Sequence, residues 1–205
     1  VGRSLSKTLW PLTQSELLQQ ESSLINLFEP SSLMKSISIH EPRHYSALLK
    51  RCLQQTMLPA PHLLEDTPLA HELLANYQAT YLENEIRREN LVQDIGAFDQ
   101  FIALAANENT QIVNHAAKGQ VLGLSPHTVK NYYGILQDTF VCFELRPYSK
   151  SLRVQLSKSA KMYFVDTGLA RFISGERGLP PEASAAFGQL IEGYVICEIF
   201  KQQEY

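Results

Sequence analysis

No catalytic centre is spelled out in this chain of 205 residues. It has no GxxxxGK[ST] loop to cradle phosphates, no HExxH helix to hold zinc and no GxSxG elbow to present a nucleophile. Cysteine is sparse. Cys52, Cys142 and Cys197 are odd in number, far apart and without a CxxC pair. That excludes a disulfide framework or a thiolate zinc site and fits reduced thiols in the cytoplasm. Long apolar runs are lacking too: Phe101–Ala106 is among the longest, far short of a membrane span, so no membrane partner or signal peptide is expected. Nor is there a strong charge of one sign. The formal net charge of −3 excludes a generally basic nucleic-acid binder but leaves room for a local basic patch.

Two further absences bear on chemistry. His40, His44, His62, His71, His115 and His127 are dispersed, and Pro42 separates the nearest two, so no metal site is expected. The triplet Asp166-Thr167-Gly168 occurs once, whereas an aspartic-protease dyad needs two facing carboxylates to share a proton. Asp166 reads instead as the N-cap of a helix that follows a strand.

What is present is a mainly helical pattern with a small β component. Thr13 and Glu16 form a capping box, flanked by Leu12 and Leu17 as a hydrophobic staple, and predict a helix to about Phe28. A second helix is expected over about His44 to Gln55. After a proline-marked loop, a third covers Leu69 to about Val92, with the charged run Glu83, Glu85, Arg87, Arg88 and Glu89 on a solvated face. Phe98–Ala106, Gln111–Leu122 and Ser125–Phe140 form a helical trio. In the last, Gly123 suits the left-handed stop of the preceding helix, Ser125 the cap and Pro126 the first turn. Val129, Tyr132 or Tyr133, Leu136 and Phe140 make its apolar face.

The period then changes. Phe140–Leu145 and Lys161–Val165 read as strands, Thr167–Ile173 as a short helix, and Ala183–Gln203 as a final helix. Three helices followed by a β-hairpin is the winged-helix order. The expected organisation is therefore an exit segment (1–12), a helical connector (13–95), a winged-helix-like domain (96–175) and a terminal helix opening a further domain (176–205). A winged helix is a platform for DNA or a partner protein. The candidate DNA contacts are His127, Lys130 and Asn131 on the exposed face of the third helix, and Lys150, Arg153, Lys158 and Lys161 in and beside the wing. Arg146 to Lys161 holds five basic residues and no acidic one.

These residues carry a family resemblance. Trp10-Pro11-Leu12-Thr13, the helix-turn-helix Gly123–Val141, Leu145-Arg146-Pro147-Tyr148, Lys158–Leu169 and Gly188–Glu192 resemble the C-terminal portion of predicted bacterial and archaeal ATPases of the AAA-type P-loop superfamily. The resemblance implies a nucleotide-binding domain upstream that uses ATP and Mg, with no cofactor in this portion, which starts without Met and is expected to be an internal fragment. Thr56-Met57-Leu58-Pro59 stands where the family often has Gly-Gly-x-Pro. The resemblance also implies a nuclease-like region beyond Tyr205, in which a glutamate at the position of Glu192 joins later residues around a metal. Apart from DNA, a protein partner or self-association fits a module of this kind.

Overall fold

The computed structural model describes residues 8–18, 42–64, 67–87 and 91–204. It is mainly helical, with one small antiparallel sheet. In chain order the elements are α1 (Gln14–Leu18), α2 (Pro42–Gln54), α3 (Pro59–His62), α4 (Thr67–Tyr81), α5 (Ile95–Asn107), α6 (His115–Leu122), α7 (Pro126–Asp138), β1 (Cys142–Leu145), α8 (Leu152–Ser157), β2 (Lys161–Phe164), α9 (Thr167–Ile173) and α10 (Ala185–Glu204).

Local chemistry starts most of these helices. The capping box forms: the Thr13 amide donates to Glu16 Oε2 at 2.7 Å, and the Glu16 amide donates to Thr13 Oγ1 at 3.2 Å. Beyond Leu18 the expected course of this helix lies outside the described residues. Side chains of Asp94, Asn114, Ser125 and Asp166 each accept an amide three residues on, which satisfies one otherwise orphan donor at the start of α5, α6, α7 and α9. Gly123 ends α6 at φ 68°, the left-handed region that costs glycine nothing.

Two hydrophobic clusters hold these elements. The first gathers Phe98, Phe101 and Ile102 of α5, Val129, Tyr132, Tyr133 and Leu136 of α7, and Cys142, Met162 and Phe164 of the strands. The second joins Cys52, Leu53 and Met57 to Leu190 and Tyr194 of α10, with Leu12 and Leu17 packed against it. The staple residues thus share one cluster. All three cysteines are free and buried.

The structure departs from the sequence expectation in several places, the first being that the proline-marked loop carries the short helix α3. The third helix leaves α geometry at Tyr81 and becomes a π-turn over Leu82–Arg87. The wider turn places Ile86 fully in the first cluster, and the Leu91 amide reaches back to the Ile86 carbonyl at 3.1 Å. Arg88 and Glu89 lie outside the described residues. The helix expected from Gln111 begins at His115. Thr110, at φ 72°, turns the chain out of α5, and residues 110–113 run alongside β2 instead. Amides of Thr110 and Val113 donate to the carbonyls of Met162 and Ala160, and Ile112 bridges Lys161. Phe140 does not extend the apolar face of α7. At φ 59° it leaves the helix, stays 55% exposed and sets its ring edge-on to Trp10. Finally, the connection between the strands is not a plain loop: it carries α8, capped by Ser151.

Candidate nucleic-acid interface

Helix α7 buries Val129, Tyr132, Tyr133 and Leu136, and this leaves His127, Lys130 and Asn131 exposed on its other face. The Asn131 amide and the His127 ring lie 3.3 Å apart, four residues along one helical face. Lys118 of α6 adds nothing to this surface. It is buried, paired with Glu108 and set over the Tyr133 ring.

The strand connection separates the five basic residues into two kinds. Arg146 donates twice to Glu144 Oε2, at 2.8 and 3.0 Å. Lys161 donates to Glu192 Oε1 of α10 at 2.6 Å, and the Tyr163 hydroxyl donates to the same oxygen at 2.7 Å. Lys150, Arg153 and Lys158 are exposed and form no ion pair with any described residue. The free positive charge is therefore confined to residues 150–158, with a neutralised pair at each end. The pairing of Lys161 leaves no mark in the sequence, because its partner is 31 residues away on another element.

Glu192 is a half-buried ion-pair partner. Burial by itself raises its carboxyl, but the bonds from Lys161 and Tyr163 outweigh burial and hold it below its ordinary 4.5. A depressed folded value means stability that is present at neutral pH and lost as pH falls from 4.5 through that value. Glu192→Gln should lower the thermal midpoint at neutral pH and converge on the wild type in acid, flattening the acid limb. Parallel midpoint curves for the two proteins would show that the tie adds no pH-dependent stability. Among the described residues, no group of three or more His, Cys, Asp or Glu side chains could hold a metal ion.

Asp166 proves to be a structural cap. Its carboxylate is buried and accepts the Leu169 amide at 2.6 Å and the Met57 amide at 2.5 Å. Burial raises its carboxyl despite these bonds. Sequence reasoning found the first bond but not the second, which spans 109 positions.

A cavity of about 400 Å³ lies beside α2, α4 and α9, lined among others by Thr56, His71, Arg171, Phe172 and Arg177. Arg171 is spent on the carbonyls of Leu53 and Gly178 and on Glu176, so its charge is internally satisfied. No helix among the described residues is long and apolar enough to cross a membrane.

A protein of Haemophilus influenzae described as uncharacterized is 24% identical over 145 residues, covering 68% of this chain and 35% of that protein. The chain thus spans about a third of the length of this curated relative. No solved structure matches. Residues 46–179, from α2 through α9 and including the whole strand–helix–strand region, match the family described as Domain of unknown function (DUF8612), and the chain belongs to that family.

Proposed function

We propose that the chain is a winged-helix module that binds nucleic acid and serves as the C-terminal part of an AAA-type ATPase, coupling nucleotide state to DNA. One observation carries the nucleic-acid reading: Lys150, Arg153 and Lys158 are exposed and unpaired in a segment without a carboxylate. Such a segment attracts phosphates and releases counterions. The element order supports it. Helices α5, α6 and α7 precede the strand pair, residues 110–113 add a third extended segment beside β2, and α7 exposes His127, Lys130 and Asn131. The ATPase half rests on the resemblance set out above.

Fluorescence anisotropy against labelled duplex and single-stranded DNA, across a salt series, tests this reading. Arg153→Glu with Lys158→Glu should weaken binding about tenfold at low salt, equally for all sequences, and reduce the slope of log affinity against log salt by about 2. A folded protein that binds neither DNA at low salt would sink the proposal. ATP hydrolysis by the whole protein, with and without DNA, tests the coupling.

A second reading is a protein-interaction module without a nucleic-acid role. Ile112, beside β2, and Val121, on α6, favour it, since both are exposed apolar side chains. Self-association in sedimentation, with no salt-sensitive DNA binding, would select it.

A further inference from the structure

We propose that Tyr148 is a stacking platform for an unpaired base, so that the segment between β1 and β2 prefers single-stranded nucleic acid to blunt duplex. This rests on the nucleic-acid reading above and makes its ligand specific. Tyr148 is 87% exposed and its ring meets no other described ring. By contrast, Tyr132, Tyr133, Tyr163 and Tyr194 are buried. Leaving an aromatic ring in water forgoes the burial that folding would otherwise reward.

The backbone on either side of Tyr148 is locally constrained. Pro147 fixes its own φ just before it. After it, Ser149 Oγ accepts the Ser151 amide at 3.2 Å, and Ser151 in turn caps α8. A tyrosine has only two side-chain torsions to fix, so ordering its ring against a base costs little entropy. The three free cations follow within ten positions, and Leu152 of α8 is 67% exposed among them.

The ligand follows from this combination. Phosphates satisfy the cations in any nucleic acid. A base offers its π-face only when it is unpaired or terminal, because in a duplex its neighbours cover it. A basic track with an exposed ring beside it therefore matches the chemistry of single-strand binding, in which stacking contributes whatever the base. The neutralised pairs at Arg146 and Lys161 limit the track to the stretch that begins at Tyr148.

The test is anisotropy on the full chain with a single strand of about 20 nucleotides and the matching blunt duplex, together with a single strand carrying 2-aminopurine. The single strand should bind about tenfold more tightly than the duplex. Tyr148→Ala should cost about tenfold on the single strand and less than about twofold on the duplex, and should abolish the 2-aminopurine signal, whereas Tyr148→Phe keeps all three. Because the side chain is exposed, the fold survives either change. If Tyr148→Ala weakens both DNAs equally or neither, while Arg153→Glu with Lys158→Glu weakens both, stacking is overturned and the nucleic-acid reading stands. If no oligonucleotide binds at low salt, both fall. Binding to phosphatidylserine vesicles that needs Tyr148 and Leu152, with no oligonucleotide binding, also overturns both and assigns the surface to lipid.

Discussion

Gly168→Ala should lower the thermal midpoint by about 10 °C. A Cβ at this position would lie 2.3 Å from the Thr56 nitrogen and 2.4 Å from its Cα. Both are backbone atoms, so no side-chain rotation relieves the clash, and α9 must move off the loop that follows α2. That movement breaks the bond from the Met57 amide to Asp166 and leaves the buried side chain with its Leu169 bond but one donor fewer. Overpacking costs about 1–3 kcal/mol, and a buried polar group losing a hydrogen-bond partner costs about as much again. At about 2–4 °C per kcal/mol for a chain of this size, the sum gives the expected drop. Gly188→Ala is the control. It lies on α10 with nothing within 4 Å of its would-be Cβ, so alanine there should be neutral or raise the midpoint slightly. A Gly168→Ala midpoint within about 2 °C of the wild type would show that α9 accommodates the added methyl without moving.

The same triplet shows where the sequence was legible. Asp166 as a cap, Ser125 with Pro126, Gly123 and the Thr13/Glu16 box are each decided within four residues, so pattern alone identifies them. What Gly168 does was not legible, because the atoms it must avoid belong to Gln55 and Thr56, over a hundred positions earlier. Residues 111–113 differ from the sequence expectation for a related reason. They extend a helical period, but the free edge of β2 and the left-handed turn at Thr110 draw them into the sheet. The candidate interface divides the same way. Exposure of His127, Lys130 and Asn131 follows from the periodicity of α7, and the carboxylate that pairs with Arg146 stands two residues away, whereas the loss of Lys161 to Glu192, and the exposure of Tyr148, need tertiary structure.

Lys201→Met should cost about 3–5 kcal/mol and loosen the entry segment, residues 8–14, from α10. Lys201 is 2% exposed and Glu198 is fully buried, and the two form an ion pair. Each also holds the entry segment. Lys201 Nζ donates to the Leu12 carbonyl at 2.7 Å, and Glu198 Oε2 accepts the Gln14 amide at 2.8 Å. Removing the cation alone leaves a buried carboxylate without its counter-charge, which is the costly way to break such a pair. The double variant Glu198→Leu with Lys201→Met strands no charge and forfeits only the two backbone bonds, about 1–3 kcal/mol. It should therefore be more stable than Lys201→Met alone, and a double-mutant cycle should show strong coupling. Trp10, the single tryptophan of the chain, reads the local consequence. Its ring meets Phe200 of α10 and Phe140, just beyond α7, with centroids 5.1 and 5.7 Å away. In Lys201→Met its emission should shift red under conditions where the helical signal is intact. Additive single and double variants, or an unchanged Trp10 emission, would show that the pair does not clamp this segment.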